Sequence, residues 1–423
     1  MKRPLEFGRC YREVILGCLG LVALTTTQAW AQESAPQLAA PPPATVQSAE
    51  PDSPAPSMPP TPTALPAPPP LAPPPEVATP AATDPLKKEI VPIKANFGLR
   101  VSGRVQGGSD PKKLDDVSLD TIYLEARFSG ALNKYFAWQA NFNGSAKPAG
   151  SSGPASIMDL ILKLDLADEF HIWAGRLLVP SDRSNFSGPF FISPWNYPGV
   201  YSVGAAGGFI GPKTGANGRD DGVVVWGQFL GGKAKYFLSS FNLDNVAQSP
   251  LYSGRVNIAL LGEEPGLWGS STYYGDKDIV AIGGGFQYQK YGSGTIDPKT
   301  LNGDLDLKVF LADLLAEKTL PGAGTISVEG AYYHFDVGQP AKQAFYVLGS
   351  FLTDYVGVGK LQPLVRWQQT SPQSGGSKWT MLDAFVAYVI YGYNLKLMAG
   401  YQRTDLGNSI VGNAIQVGFQ MQE

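Results

Sequence analysis

The stretch Leu119-Asp120-Thr121-Ile122-Tyr123-Leu124-Glu125-Ala126-Arg127-Phe128 puts Ile122, Leu124, Ala126 and Phe128 on one parity and Thr121, Glu125 and Arg127 on the other. Successive side chains of an extended chain point to opposite faces, so the pattern describes a strand with one apolar and one polar face. Its length is that of a tilted strand crossing the hydrocarbon layer of a membrane. Outward from it the same dyad recurs about sixteen times, at 96–105, 119–128, 134–143, 157–166, 170–178, 222–230, 233–242, 251–259, 279–289, 304–314, 325–335, 344–353, 361–369, 380–390, 393–403 and 413–421.

The connections alternate as well. Those at 130–133, 167–169, 231–232 and 391–392 are short, whereas 106–118, 144–156, 175–221 and 290–303 are long. Bacterial outer-membrane barrels have short periplasmic turns and longer outer loops, and closing the sheet leaves no backbone group unpaired in lipid. The expected fold is therefore all-β: a transmembrane antiparallel β-barrel of about sixteen strands spanning residues 95–423, with its first strand running outward. Leu260–Asp278 breaks the rule, being long on the short-turn side.

The longest irregular stretch, Gly175–Asp221, opens with Gly175-Arg176-Leu177-Leu178-Val179-Pro180-Ser181-Asp182-Arg183 and closes with Arg219-Asp220-Asp221. It carries Phe186, Phe190, Phe191, Trp195, Tyr197, Tyr201 and Phe209. So long a loop does not suit a compact soluble domain, but a barrel lumen offers a wall against which its rings can be buried. The expectation is a third outer loop folded inward to narrow a pore, with Arg176, Arg183, Lys213 and Arg219 along the solute path.

Before the barrel, Lys2, Arg3, Arg9 and Arg12 precede the apolar run Val14–Leu24 and the small-x-small triplet Ala29-Trp30-Ala31. This is the form of a cleavable export signal covering residues 1–31. Residues 32–90 form a Pro/Ala-rich stretch expected to be a disordered, extended periplasmic spacer. The 33 Lys and Arg against 36 Asp and Glu leave a net charge of -3, which lacks the basic footprint of a nucleic-acid partner. Both cysteines, Cys10 and Cys18, fall in the signal, so the remainder holds no disulfide framework or thiolate metal site.

The chain from about residue 95 resembles the phosphate-selective porin O and P family of outer-membrane channels. The resemblance rests on Ala174-Gly175-Arg176-Leu177-Leu178-Val179-Pro180 with Asp182-Arg183, on Arg219-Asp220-Asp221-Gly222-Val223 at the start of a strand, on Ser271-Thr272-Tyr273-Tyr274-Gly275-Asp276-Lys277-Asp278, and on Asn394-Leu395-Lys396-Leu397 with Tyr401-Gln402. It implies a sixteen-stranded, trimeric, passive channel with its third loop folded inward. Leu178 departs from the family's pattern where a lysine often stands, which weakens the case for strong anion selectivity, and the chain ends Phe419-Gln420-Met421-Gln422-Glu423 rather than on an aromatic.

If the apolar parity faces lipid, the lumen wall holds Arg100, Arg104, Arg127, Lys163, Lys235, Arg255, Lys308, Arg366 and Lys396 against Glu125, Asp159, Asp165, Asp304, Asp306, Glu329 and Asp383. Rings of one sign select ions through their field, and so balanced a wall leaves selectivity to the loop arginines; equally, these charges could pair across strands and stiffen the wall. A catalytic barrel is the rival from another class, but the only histidines are His171 and His334 and neither has a nucleophile motif beside it, nor does any His/Cys cluster have metal-ligand spacing. Gly283-Gly284-Gly285 lies inside an alternating strand and not between strand and helix, so it is a packing feature. The reading is a non-enzymatic outer-membrane channel, without cofactor, for passive diffusion of small hydrophilic solutes, anions such as phosphate being candidates. The alternatives are a sealed structural or adhesive barrel tethered by its spacer, and an outer-membrane hydrolase.

Overall fold

Every backbone N–H and C=O that crosses hydrocarbon needs a partner within the protein, and the chain meets this by closing one antiparallel sheet on itself. The computed structural model describes residues 91–107, 116–146, 156–198, 212–215, 218–242, 249–294, 303–339, 341–373, 375, 377–407 and 411–423. The expected signal and spacer, the middle of several outer loops, and Tyr201 and Phe209 lie outside these residues.

The strands are β1 (Val91–Gly107), β2 (Asp116–Ala131), β3 (Phe136–Ala146), β4 (Ser156–Ala167), β5 (Phe170–Leu178), β6 (Arg219–Phe229), β7 (Ala234–Phe241), β8 (Leu251–Leu261), β9 (Ile279–Ser293), β10 (Leu305–Leu320), β11 (Gly324–Phe335), β12 (Ala341–Leu352), β13 (Tyr355–Val356), β14 (Gly359–Pro372), β15 (Trp379–Tyr391), β16 (Leu395–Asp405) and β17 (Val411–Gln422). β13 is two residues long and only extends a turn, since β12 pairs directly with β14. The other sixteen form the wall, and β1 closes it by pairing with β17 from Gly98↔Gln422 to Gly107↔Asn413.

The two-beat loop pattern is present. Tight connections at 168–169, 230–233, 321–323 and 392–394 gather at one end and longer ones at the other. Gly231 and Gly232, with φ of 69° and 93°, make the β6–β7 reversal in a backbone region that a Cβ would strain. The segment 262–278 between β8 and β9 is the exception expected from the sequence. It is no turn: it enters the lumen from the short-turn end.

The outer surface carries an apolar band, with Leu124, Leu162, Leu238, Val256, Phe310, Val347, Val365, Val386 and Val417 all exposed. Aromatic residues Phe136, Phe170, Phe229 and Tyr391 mark one rim, and Tyr252, Phe286, Tyr332 and Tyr401 lie towards the other. Such girdles sit where a bilayer meets water.

The inner face departs from simple alternation on one side. Leu307, Val309, Leu311, Ala331, Tyr333 and Phe335 point inward on β10 and β11 and join one cluster with Leu177, Val179, Phe186, Phe237 and Phe241. Lys308 is therefore not a lumen residue: it stands on the outer parity, half exposed, with its Nζ 3.6 Å from Asp336. Asp306 shares that parity and accepts from the Tyr288 hydroxyl and the Tyr291 amide near the rim. The parity rule assumed a watery interior, whereas here an inserted loop gives inward apolar side chains something to bury against.

Arginine at Val386 or Leu397, which are 48% and 44% exposed on the band, should lower folding stability by about 2–4 kcal/mol near the bilayer midplane. Lys308→Ala should change it by about 0.5 kcal/mol or less. Urea titration of the barrel refolded into lipid vesicles measures both, and equal tolerance at the two sets would mean that the outward face is misassigned.

Candidate functional site

Strand β5 ends at Leu178, after which the chain leaves the wall and turns inward. The irregular loop therefore begins at Val179 and lasts to 218, shorter at both ends than the sequence reading. Its first turn is a short helix, α1 (Arg183–Ser187), whose five residues are all buried. The wall holds this stretch mostly through the loop's own backbone. Arg255 donates to the Ser181 carbonyl at 2.8 Å, the Ser253 hydroxyl donates to the Pro180 carbonyl, and the Tyr333 hydroxyl donates to Asp182 at 2.5 Å.

Farther along, the loop crosses to the opposite wall. Lys396 donates to the Ile192 carbonyl at 3.0 Å, Gln420 to Phe190 at 3.0 Å, Arg100 to Trp195 at 2.6 Å, and Arg366 to Asn196 at 2.9 Å. The rings settle over glycines, where they can approach the backbone: a Cβ on Gly418 would lie 2.6 Å from the Trp195 ring, and one on Gly98 2.6 Å from the Phe190 ring. Arg100 also stacks its guanidinium 4.4 Å over Trp195. Arg100, Arg366 and Lys396, read from the sequence as wall charges, thus serve as clamps on the loop.

The inward segment 262–278 meets this loop head-on. The Gly269 amide donates to the Phe186 carbonyl and the Ser271 amide to the Phe191 carbonyl. Glu317 on β10 anchors the segment by accepting from Thr272 at 2.6 Å, from the Tyr273 amide at 3.1 Å and from the Gly275 amide at 2.9 Å. Glu264 receives both terminal nitrogens of Arg183, at 2.6 and 2.7 Å, and the Tyr273 hydroxyl at 2.6 Å. Burial alone would raise the Glu264 carboxyl, but Arg183 beside it outweighs burial and holds it down at about 2. Arg183 is correspondingly held above its ordinary value despite its own burial.

The remaining sequence-selected residues separate by face. Arg219 pairs with Asp159 at 2.9 Å, Arg255 with Asp313 at 2.5 Å, Arg366 with Asp383 at 2.8 Å and Arg127 with Glu125 at 3.1 Å, all inside the barrel. Gly283 leaves the space for one of these pairs, since its Cβ would lie 2.2 Å from Arg255 and 2.6 Å from Asp313. Lys163 lies 4.0 Å over the Trp173 ring, Lys235 donates to the Gly266 carbonyl at 3.1 Å, and Arg104 donates to Gln402 at 3.0 Å. Lys213 donates to Gln289 and to the Gly292 carbonyl on β9. Arg176 is a correction: it faces outward on β5, opposite Asp221 at 3.2 Å, because its register partner Leu160 also points to the lipid side.

Between the two inserts and the wall of β2, β3, β4 and β6 lies a cavity of about 500 Å³. Glu125, Arg127, Gln139, Asn141, Asp159 and Arg219 line its wall side, and Phe186, Phe190, Phe191, Trp268, Tyr273 and Lys277 its insert side. Glu264 and Trp268 were not selected from the sequence, and Tyr273 entered only within the stretch 271–278 that carries the resemblance, with no site role; the length of Leu260–Asp278 at the short-turn end was the signal that could have found them. Among the described residues no group of three His, Cys, Asp or Glu could hold a metal ion.

No family profile and no curated protein matches the chain. Solved structures do. Pseudomonas putida OprB aligns with a TM-score of 0.55 at 8% identity, over 78% of this chain and 94% of that one. Salmonella typhi OmpF aligns with a TM-score of 0.51 at 11% identity, over 78% and 97%. OmpT of Vibrio cholerae, expressed in the outer membrane, aligns with a TM-score of 0.50 at 16% identity, over 80% and 100%. The shared fold is the barrel of outer-membrane porins; no sequence match supports the finer resemblance to the phosphate-selective family.

Removing one partner of a buried ion pair strands the other charge, so Glu264→Gln should destabilise the barrel by about 3–5 kcal/mol, read by thermal unfolding in detergent. Because the folded carboxyl is depressed to about 2 from an unfolded value near 4.3, the contribution of this pair is fully present above about pH 4.3 and disappears only as pH falls through about 2. Stability of the wild type that fell instead between pH 7 and 5, and not in Glu264→Gln, would contradict the pairing.

Proposed function

We propose that the protein is an outer-membrane channel through which small hydrophilic solutes diffuse passively. The observation that carries this reading is the lumen itself, which two inserts narrow but leave with a cavity of about 500 Å³ lined by carboxylates, guanidiniums and amides. A barrel that served only as an anchor would have no use for polar groups facing such a space. The outward apolar band and the aromatic rims support a place in a bilayer, and the outer membrane follows from the export signal read at residues 1–31. The trimer implied by the family resemblance belongs to the same proposal.

The channel reading is preferred to the hydrolase because His171 is held by neighbouring groups and His334 is turned away from the lumen. His171 meets Asp165 at 2.7 Å and the Asp168 carbonyl at 3.1 Å, and it stacks on Trp226 at 4.0 Å. His334 shares the outward parity of the exposed Tyr332, opposite to the inward Tyr333 and Phe335. Phosphate selectivity, the finer reading that the resemblance implies, would need loop arginines at the constriction with charge to spare. Arg183 and Arg219 each have a carboxylate partner instead, so the proposal is a channel of weak ion selectivity in which these arginines hold the loop.

Planar-bilayer recording tests this. The wild type should give discrete conductance steps and a reversal potential close to zero in a salt gradient, and removal of residues 186–212 should raise the step size severalfold. Silence in both proteins, with the barrel folded, would favour the sealed alternative. A large anion-side reversal potential that Arg183→Glu abolishes would restore loop-governed selectivity.

A further inference from the structure

The cavity has two unlike sides, and the difference specifies what it accepts. On the insert side are the rings of Phe186, Phe190, Phe191, Trp268 and Tyr273. Phe190 and Phe186 are almost fully buried, whereas Trp268, Phe191 and Tyr273 keep part of their surface open. On the wall side the cations are already committed. Arg127 forms an ion pair with Glu125 at 3.1 Å and donates to Gln422 at 2.5 Å, and Arg219 bonds Asp159 at 2.9 Å. Lys277, at the insert edge, donates to the Glu263 carbonyl at 2.6 Å and lies 3.9 Å over the Tyr273 ring.

Acceptors, by contrast, remain available. The Asn141 side chain is only 4% exposed and its amide nitrogen donates to Asp159 at 2.6 Å, yet its carbonyl oxygen has no hydrogen-bond partner. A buried acceptor left open costs free energy until a donor reaches it. Glu125, paired with Arg127 and accepting from the Tyr123 hydroxyl, and Asp159, accepting from Arg219 and Asn141, each keep a further lone pair. Gln139 has its carbonyl taken by Lys163 at 2.9 Å, which leaves its amide hydrogens for a solute.

An anion entering this slot would meet acceptors and arginines whose charge is already compensated, and only Lys277 at the edge would offset the hydration it gives up. A cation would find carboxylates equally compensated. A solute that is uncharged, offers hydroxyl donors along its edges and has a flat C–H face for the rings would satisfy both sides. Deepening the channel proposal above, and resting on it for its role in transport, we propose that this slot is a binding subsite for uncharged polyhydroxylated solutes of the size of a mono- or disaccharide. The ring lies against Trp268 and Phe191, and its hydroxyls donate to Asn141, Glu125 and Asp159. The volume falls in the range of roughly 300–1,000 Å³ usual for small-molecule sites.

Maltose, inorganic phosphate and putrescine, as neutral, anionic and cationic probes, distinguish the outcomes in two assays on the full chain. In planar bilayers maltose at millimolar concentration should block the ion current in a saturable manner, and phosphate and putrescine should not. In vesicle-reconstituted protein maltose should change the tryptophan fluorescence over the same concentration range. Asn141→Leu and Trp268→Ala should each raise the half-maximal maltose concentration at least tenfold, measured against each variant's own unblocked current and fluorescence; Lys308→Ala, on the outer rim, serves as the control. Circular dichroism checks that each variant keeps its sheet, and Asn141→Ser, which keeps an oxygen acceptor, should retain more affinity than Asn141→Leu. Saturable block by phosphate or by putrescine without a maltose response overturns the proposal in favour of an ionic solute, and no response to any probe in either assay overturns the subsite altogether. A fluorescence response without conductance overturns the channel reading and leaves the subsite standing.

Discussion

A closed sheet of sixteen strands encloses more space than its own inward side chains can fill, and the rest of this molecule is arranged around that surplus. Two inserts occupy it, one entering from each end of the barrel. Because they carry irregular backbone, their amides and carbonyls need partners away from bulk water. The wall supplies them: Arg100, Arg255, Arg366 and Lys396 spend donors on loop carbonyls, and Glu317 spends acceptors on the amides of the second insert. What looks in the sequence like a field of pore charges is largely a set of backbone anchors.

The same arrangement explains the electrostatics. Buried charges are tolerated only when they are paired and well bonded, and the interior shows Arg183 with Glu264, Arg219 with Asp159, Arg255 with Asp313 and Arg366 with Asp383. The Arg183–Glu264 pair differs from the others in joining the two inserts to each other. It thereby fixes the insert side of the cavity, which in turn fixes which rings a solute meets. With the cations so committed, unfilled acceptors and open ring faces are what the cavity offers.

The strands were legible because their determinant is local. A dyad of apolar and polar residues identifies a half-lipid-facing strand wherever it occurs, and Leu251–Ala259, Thr325–Phe335 and Leu361–Gln369 lie within strands β8, β11 and β14. The inward loop was legible for a similar reason: a long aromatic stretch with no period has to bury its rings somewhere, and Phe186, Phe190 and Trp195 are buried in the lumen. The site was less legible. Arg183 was visible as a loop arginine, but its partner Glu264 lies 81 positions away in sequence, in the part of a connection that stood out by being too long for its place.

The sequence by itself thus determined the closed barrel, its loop asymmetry and the presence of an inserted loop, since each follows from periodicity and composition read over short windows. Tertiary structure alone decided which inward positions see water. Leu307 and Val309 face inward because the loop covers them, and Lys308 is turned outward by the same parity. It also decided that segment 262–278 folds into the lumen and that the arginines meet carboxylates there. Those outcomes depend on which distant side chains share one enclosed space, and a period along the chain carries no information about what fills the interior across it.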